Sequence, residues 1–218
     1  MDIIYRDGDI LVVNKPSGVA VHPSPGFETG TMTDVLVKRF PQMADVGSAT
    51  RPGVVHRLDV ETSGVMVFAL TQRAYLKLRE QFESHVGVTK TYLAVLHGAP
   101  NARSGTLDTL LGRRSDKKRM RVVESGGDGQ RAVTHWEVLG RHGGVALVEF
   151  RIETGRTHQI RVHAAHLGHP ILGDRFYGRP DRASRLLLHA VQLEFSHPVT
   201  GKALCFAAEP PPEIVYAG

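Results

Sequence analysis

The chain is poor in cysteine and has no long apolar run. Its single cysteine, Cys205, cannot form an internal disulfide, and the apolar strand pattern around it predicts a packed thiol. No stretch approaches the roughly 18 apolar residues that a membrane-spanning helix needs. The first residues include acids where a secretory signal has basic residues. These absences argue against membrane and secreted proteins, and we expect a cytoplasmic protein that does not bind membranes.

Linkers, internal repeats and low-complexity tracts are also missing from the sequence. A chain of 218 residues, of which 41% are hydrophobic, is long enough to bury a full core. We therefore expect one domain over residues 1–218, built from two packed halves that meet within residues 98–130. The oligomeric state cannot be read from these features, so a monomer without an obligate protein partner is the default expectation.

The periodicity of the apolar residues predicts a strand-rich α+β protein. Alternating or β-branched runs between turn residues predict strands near residues 2–5, 10–14, 54–58, 64–70, 88–97, 105–111, 119–124, 130–140, 144–153, 186–195 and 202–208. Helices are predicted at 33–40, 71–85 and 157–167. In the second helix Thr71 is placed as the N-cap, and an amphipathic core-facing pattern is formed by Tyr75, Leu78, Phe82 and Val86. This order of elements predicts helices packed on a mostly antiparallel sheet.

Positive charge is concentrated in one segment of the chain. The formal net charge is +5, and the segment 113–121 combines one acid, Asp116, with six basic residues: Arg113, Arg114, Lys117, Lys118, Arg119 and Arg121. This segment alone accounts for the net charge, so the remainder of the chain is neutral. Such a concentration is typical of proteins that bind a polyanion such as RNA or DNA. A solvated hairpin is the alternative interpretation.

A charged pair interrupts the apolar segment VVHRLDVETSG at residues 54–64. If residues 54–58 form a strand, the side-chain period of two places Arg57 and Asp59 on one face at its end. A nearby cation favours the ionised form of a carboxylate. Thr62, Ser63 and Gly64 then predict a tight turn with hydroxyl groups near Asp59. From these residues alone, the pair is either a structural ion pair or part of a site that needs a carboxylate.

The same segment resembles the signature H-R-L-D-x-x-T-S-G of the RluA-type pseudouridine synthases at every specified position. Other segments resemble the remaining motifs of that family, in the family's order: ILVVNKPSGVAVHP at 10–23, KTYLAVLHG at 90–98, ETGRTHQIRVHAAHLGHPILGDRFYG at 153–178 and RLLLHAVQLEFSHP at 185–198. Together they cover almost the whole chain. Such a combination is far more specific than one short motif.

The resemblance implies an RNA pseudouridine synthase, an isomerase that breaks the glycosidic C–N bond of a uridine and joins C5 of the base to C1′ of the sugar. It implies no metal or other cofactor. The implied fold is α+β, with a bent mixed, mainly antiparallel sheet, flanking helices and a central active-site cleft. The whole chain, residues 1–218, would then be one catalytic domain.

Three residues of this sequence match catalytic positions of the family. Asp59 matches the catalytic aspartate, which acts either as a nucleophile toward the sugar or as a base that removes a sugar proton, and both roles stay open. Tyr92 matches the tyrosine that stacks on the uracil. Arg156 matches the arginine that pairs with the catalytic carboxylate and keeps it ionised.

The resemblance also implies base flipping, because a uridine in structured RNA must leave its stack to reach Asp59. We expect Arg57 to hold the flipped conformation, since a planar guanidinium can occupy the vacated space or bind a phosphate. An aliphatic floor beneath the base is supplied by Ile160 or Leu188. Basic residues expected to contact RNA, besides the 113–121 segment, are Lys15, Arg161 and Arg175.

A metal site is one rival interpretation, because the segment HQIRVHAAHLGH contains four histidines: His158, His163, His166 and His169. On a helix, His163 and His166 share a face, but the other two do not join them there. The segment also lacks a clean ligand pattern such as H-E-x-x-H. We therefore expect no metal.

A noncatalytic RNA-binding module is the second rival. It would bind RNA in a salt-dependent manner without isomerising uridine, and the presence of all three matched catalytic residues argues against it. The first matched strand begins within a few residues of Met1, so we expect no N-terminal S4 domain of the kind many family members have. Large-subunit ribosomal RNA is the expected substrate, with transfer RNA as the alternative or additional one.

Overall fold

The computed structural model describes residues 2–116, 119–124 and 127–215. Its helices are α1 (Met32–Arg39), α2 (Gln72–Ser84), α3 (Gln159–His166) and the short α4 (Pro212–Val215), with a 3-10 turn at Pro41–Asp45. Its strands are β1 (Asp2–Arg6), β2 (Ile10–Lys15), β3 (Gly47–Ser48), β4 (Arg51–Pro52), β5 (Ser63–Ala69), β6 (Thr89–His97), β7 (Ser104–Arg113), β8 (Met120–Val123), β9 (Gln130–His142), β10 (Val145–Ile152), β11 (Leu188–Ser196) and β12 (Ala203–Ala207).

The chain divides into two compact units. The first consists of Met1–Thr89 and Ala190–Glu209, and the second of Lys90–His189 and Pro210–Gly218. The chain therefore first passes from one unit to the other between Thr89 and Lys90, which is N-terminal to the 98–130 stretch in which the halves are expected to meet. One catalytic domain over residues 1–218 stays a prediction.

The first unit is built on strands in the order β1, β2, β5 and β11, with β12 paired to β11. The first two residues of β11, Leu188 and His189, belong to the second unit. The pairs β1–β2, β2–β5 and β11–β12 are antiparallel. Every residue of β5 is buried, and α2 packs against this strand. At Gly64 the backbone has φ +123°, and an added Cβ would overlap the backbone of Ala190. The glycine that ends the HRLDVETSG signature therefore permits this close approach of β5 to β11.

The second unit is built on strands in the order β6, β10, β9, β7 and β8. The pairs β6–β10, β10–β9, β9–β7 and β7–β8 are antiparallel. Helix α3 packs against β8 and β9. In the register of the central strands, Phe150 lies between Tyr92 and Trp136, and all three side chains are buried. This core includes Tyr92, one of the predicted site residues.

The predicted α+β class and its three helices are confirmed, with ends within two residues of the expected ones. Thr71 is the N-cap of α2, where its hydroxyl accepts a hydrogen bond from the backbone N–H of Ala74. The prediction for Val86 is wrong. The helix ends at Ser84, His85 adopts a left-handed conformation, and Val86 is 75% exposed. In the described ranges, no helix combines the length and apolar character needed to cross a membrane.

Two further local predictions are wrong. Residues 54–58 form no strand, because only Val54 makes a bridge, to Phe68. Cys205 is exposed, since the alternation along β12 turns Leu204 and Phe206 inward and the thiol outward.

Candidate active site

Asp59 lies at the start of a turn in the first unit. The backbone N–H of Thr62 donates to the carbonyl oxygen of Asp59 at 3.2 Å, and β5 begins directly after this turn. The side chain of Asp59 is half-buried. The turn therefore fixes the backbone of Asp59, and part of the residue stays accessible to solvent.

A second turn, at residues 16–19, fastens the Asp59 turn from one side. The N–H of Gly18 donates to the carbonyl oxygen of Val60 at 2.8 Å, and the Ser17 hydroxyl donates to that of Glu61 at 2.6 Å. These two bonds join segments more than 40 residues apart in the chain. They restrict the backbone on the C-terminal side of Asp59.

The ammonium group of Lys15 lies inside this double turn. Its Nζ donates to the carbonyl oxygens of Pro16, Val19 and Val60 at 2.8, 2.8 and 3.0 Å, and the residue is 0% exposed. Buried charges need such partners, because an unpaired ammonium is costly to desolvate. RNA contact by Lys15 stays a prediction, and this burial argues against it, since an inaccessible ammonium cannot meet a phosphate.

The segment before Asp59 is fastened by side chains instead of a strand ladder. The His56 ring stacks on Phe82 with a centroid distance of 4.5 Å, and its Nε2 accepts a hydrogen bond from the N–H of Val67 at 3.1 Å. Leu58 is buried, whereas Arg57 between these two anchors is exposed. The segment therefore presents Arg57 outward on a fixed backbone.

Two arginines, Arg51 and Arg57, act electrostatically on His22 in the first unit. Burial lowers the pKa of His22, and the charges of Arg51 and Arg57 lower it further. The Nδ1 of His22 is 2.9 Å from the carbonyl oxygen of Pro23. A neutral imidazole here limits repulsion among the neighbouring cations.

Tyr92 and Lys90 lie on β6 in the second unit, and both are buried at 8% exposure. As alternate residues of one strand they share a face. The Lys90 ammonium lies beside the turn at Gly155, where an added Cβ would be 3.7 Å from its Nζ. Burial, together with the charge of Arg156, lowers the pKa of Lys90 to about 8. The structure thus brings the strand of Tyr92 and the turn of Arg156 together within this unit.

Gln159, the first residue of α3, fastens the turn that presents Arg156. Its Oε1 accepts from the hydroxyl of Thr154 at 2.8 Å and from the N–H of Arg156 at 3.0 Å. Its Nε2 donates to the carbonyl oxygen of Val133 and to the Thr134 hydroxyl, both at 2.9 Å. All four hydrogen-bonding positions of the amide are therefore used. Sequence reasoning missed this residue; the only local signal is a glutamine three residues after an arginine at a helix start, in TGRTHQ.

Arg156 itself is half-buried and donates through Nε to the carbonyl oxygen of Arg131 at 3.1 Å. Asp59 and Arg57 belong to the first unit, and Tyr92 and Arg156 to the second. Ile160 and Leu188, the two candidates for the aliphatic floor, are both buried in the second unit. Their burial does not decide between them.

Arg161, expected to contact RNA, forms a buried ion pair. It binds Asp174 through Nε at 2.8 Å and Nη2 at 2.7 Å, and both side chains are almost inaccessible. Burial alone would raise the pKa of Asp174, but the hydrogen bonds and charge of Arg161 hold it below its usual value. RNA contact by Arg161 stays a prediction, and the ion pair argues against it.

The basic segment forms the hairpin β7–β8. Arg113 lies opposite Met120, and Gly112 opposite Arg121. Arg113, Arg114 and Arg121 are exposed. Arg119 is half-buried and pairs with Asp116 at 2.7 Å. Lys117 and Lys118 lie outside the described residues.

The histidines of the third motif bind different partners. The two ring nitrogens of His163 lie 2.8 and 2.9 Å from the hydroxyls of Thr134 and Thr109, and burial, with His166 nearby, lowers the pKa of His163 to about 4. The Nδ1 of His158 lies 2.8 Å from the Tyr177 hydroxyl. The Nδ1 of His169 lies 2.9 Å from the carbonyl oxygen of His97.

Elsewhere in the described part of the chain, Asp7, Asp9 and His197 place three potential ligand atoms within 4.8 Å of one another. The Asp7 carboxylate already accepts from the N–H groups of Asp9 and Ile10 and lies 2.9 Å from Nε2 of His197. The Asp9 carboxylate accepts from a threonine hydroxyl. These bonds fasten the turn between β1 and β2, which accounts for the group without a metal ion.

Residues 9–166 of the chain match the family model described as RNA pseudouridylate synthase. The chain belongs to this family. It is 40% identical to an uncharacterized RNA pseudouridine synthase of Synechocystis over 97% of its length and 66% of that relative. It is 39% identical to the ribosomal large subunit pseudouridine synthase D of Zymomonas mobilis, over 98% of its length and 70% of that relative. The chain thus spans about two thirds of the length of these relatives.

Among solved structures, the chain is similar to human RNA pseudouridylate synthase domain containing 4. The TM-score is 0.79 at 31% identity, and the match covers 99% of this chain and 91% of that one. The predicted family, the pseudouridine synthase fold and the enzyme class, an RNA pseudouridine synthase isomerase, are therefore confirmed. RNA is the substrate class of this family.

Proposed function

We propose that the chain isomerises specific uridines of large-subunit ribosomal RNA to pseudouridine. The observation behind this substrate is similarity to proteins named ribosomal large subunit pseudouridine synthase D, at 39% identity in Zymomonas mobilis and 40% in Vibrio parahaemolyticus. Both matches cover at least 98% of this chain. Transfer RNA is the second substrate to test.

Asp59 is the proposed catalytic carboxylate. In the net reaction the C1′–N1 bond breaks, a C1′–C5 bond forms, and the proton leaves C5 while N1 gains one. An ionised carboxylate assists by adding to C1′ or by removing a sugar proton, and either role requires it to be fixed beside the ribose. The bonds from Gly18 and Ser17 restrict the backbone directly after Asp59, which supports this role.

Tyr92 and Arg156 are the other proposed catalytic residues, as the stacking partner of the uracil and the cation for the carboxylate. Support for Arg156 comes from the fully bonded Gln159 amide that holds its backbone N–H. The exposed Arg57 is proposed to hold the flipped conformation, and phosphate contacts are proposed for the exposed arginines of the β7–β8 hairpin and for Arg175. We place the protein in the cytoplasm as a monomer that needs no cofactor.

Release of tritium from C5 tests this function directly. RNA transcribed with [5-³H]uridine loses its label to water when C5 forms the new bond, so each turnover is counted. Transcripts of large-subunit ribosomal RNA and of transfer RNAs are compared under the same conditions. We expect release from the ribosomal transcript. Retention of label in every transcript, with RNA still bound, would support the noncatalytic binding module instead.

A further inference from the structure

Phe176 presents a large aromatic ring on the surface of the second unit. It is 44% exposed, although exposing a phenylalanine ring forgoes much of the free energy of its burial. The ring lies against the imidazole of His158, with a centroid distance of 5.7 Å and an interplanar angle of 28°. His158 comes two residues after Arg156, so this aromatic pair borders a proposed catalytic residue.

The ring is held in place by the buried ion pair of Arg161 and Asp174. The Asp174 carboxylate accepts hydrogen bonds from the N–H groups of Phe176 and Tyr177 at 2.9 and 3.1 Å. The guanidinium carbon of Arg161 lies 5.4 Å from the ring centroid of Phe176 and 5.5 Å from that of Tyr177, within the range of cation–π attraction. The buried ion pair therefore fixes the backbone at Phe176 through Asp174 and packs against the ring through Arg161.

The second member of the pair, His158, is fixed as well. It adopts a left-handed conformation with φ 55°, which costs energy for a residue other than glycine and persists only where surrounding contacts impose it. One such contact is that of its Nδ1 with the Tyr177 hydroxyl at 2.8 Å. The imidazole thus stays against the Phe176 ring.

The aromatic pair adjoins the basic hairpin. The Tyr177 hydroxyl accepts a hydrogen bond from the N–H of Met120, the first residue of β8, at 2.8 Å. Met120 lies between Arg119 and Arg121 and opposite Arg113. An exposed, rigid aromatic ring beside a cationic strand is the combination by which proteins bind unpaired nucleotides, because bases stack on the ring while the cations follow the phosphates.

We propose that Phe176, supported by His158, stacks with an unpaired base of the RNA substrate that is not the target uridine. This inference rests on the proposed function, since it assumes an RNA substrate at this surface. It adds a base-binding site to the flipped-uridine site. The positive charge of the hairpin favours RNA over a protein partner for this ring.

Scanning with abasic RNA tests the stacking contact. A labelled fragment of large-subunit ribosomal RNA that the wild-type enzyme modifies is prepared in versions that each lack one unpaired base near the target. Dissociation constants are measured by fluorescence anisotropy for the wild type and for Phe176→Ala. We expect one abasic position to weaken wild-type binding about 5- to 150-fold, the range for one stacked base. The same position should cause little further weakening in Phe176→Ala.

Matched variants separate stacking from other effects. Phe176→Tyr retains a stacking face and should bind like the wild type. Phe27→Ala removes a ring of similar exposure, 41%, from the first unit. In this variant, the abasic position that weakens wild-type binding should reduce the RNA affinity by the same factor as in the wild type. The dependence of binding on salt should be the same in Phe176→Ala as in the wild type, because no charge is removed.

Two results would overturn the inference: equal affinity of Phe176→Ala and wild type, or equal additional losses in both proteins at every abasic position. Thermal melting of each variant shows whether a loss of RNA affinity is caused by misfolding. If Phe176→Ala is misfolded, the abasic scan is compared between the wild type and Phe176→Tyr instead. Tritium release keeps this test apart from the proposed function. If the wild type releases label but no abasic loss of affinity depends on Phe176, the stacking inference alone fails. If the wild type releases no label from any RNA, the proposed function fails.

Discussion

The side-chain oxygen of Gln159 accepts a hydrogen bond from the backbone N–H of Arg156 at 3.0 Å, and the same amide bonds β9 through Val133 and Thr134. One side chain therefore connects a strand of the second unit with the turn that presents a proposed catalytic arginine. Gln159 touches no proposed reacting atom. It is a positioning residue.

Replacement of Gln159 by Met should reduce both stability and turnover. The N–H of Arg156 would lose its acceptor, whereas Val133, Thr134 and Thr154 each keep a second hydrogen bond. A buried group left unsatisfied costs about 1–3 kcal/mol, so the free energy of unfolding in urea should fall by about that amount. We expect kcat for tritium release to fall at least about tenfold, with a smaller change in KM, because Arg156 would be misplaced.

Two matched variants identify the cause of that loss. The Gln81 amide bonds the backbone of Ser196 in the first unit, so Gln81→Met removes comparable hydrogen bonds away from Arg156 and should leave kcat unchanged. Gln159→Glu keeps an oxygen for the Arg156 N–H and should recover part of the lost turnover. Equal kcat in Gln159→Met and Gln81→Met would contradict the positioning role.

Removal of the Tyr177 hydroxyl should weaken RNA binding through the hairpin. In Tyr177→Phe, the N–H of Met120 loses its acceptor, and β8 loses one of its attachments to the second unit. A net hydrogen bond contributes about 0.5–1.5 kcal/mol, so we expect a rise of about two- to tenfold in the dissociation constant. Tyr5→Phe removes a hydroxyl that bonds Asp7 in the first unit and serves as the control. Identical affinities for both variants would show that this bond does not order the arginines proposed to contact RNA.

The pKa of Lys90 predicts a rise of stability at alkaline pH. Its folded-state pKa of about 8 lies below the usual 10.5, so between these values the unfolded chain holds a proton that the folded chain has released. Stability rises with pH wherever the unfolded state binds more protons. The unfolding free energy of the wild type minus that of Lys90→Met should therefore become more positive from pH 8 to 10.5, by at most about 3 kcal/mol.

Urea unfolding at constant salt measures this difference. Lys77, whose side chain is 60% exposed on α2, provides the control: the wild type and Lys77→Met should differ by the same amount at every pH in the window. A flat difference for Lys90→Met as well would mean that its ammonium is solvated in the folded protein.

Replacement of Arg57 by Ala should affect folded RNA more than unstructured RNA. Extruding a stacked uridine costs a few kcal/mol, and a single-stranded oligonucleotide avoids most of that cost. We expect kcat/KM to fall at least about tenfold on a folded fragment and much less on the oligonucleotide. Arg73→Ala removes an exposed arginine from α2 and should leave the ratio of the two substrates unchanged. Equal losses on both RNAs would exclude a role for Arg57 in flipping.

Much of the fold could be predicted from local pattern, because α1 and α2 begin at threonine caps and α2 has an amphipathic 3.6-residue period, features that are visible in a short window. The segment 54–58 could not. Its apolar residues are typical of a strand, but its order comes from the His56 ring, which binds Val67 and Phe82. Such long-range contacts have no local signature.

The candidate site, like the fold, could be predicted from the sequence only in part. Asp59, Tyr92 and Arg156 were found through motifs that span nearly the whole chain. The burial of Lys15 and Arg161 was not predicted, because a basic residue next to a motif is usually exposed. The partners that bury them, three carbonyl oxygens for one and Asp174 for the other, become apparent only in three dimensions.

The central claim is that the carboxylate of Asp59 performs the isomerisation. The most direct measurement is single-turnover tritium release by Asp59→Asn, beside Glu61→Gln, which removes a second carboxylate from the same turn. Both variants should bind RNA and melt like the wild type. We predict that Asp59→Asn releases no label above background, whereas Glu61→Gln retains most of its activity. Release by Asp59→Asn at a rate near that of the wild type would contradict the account.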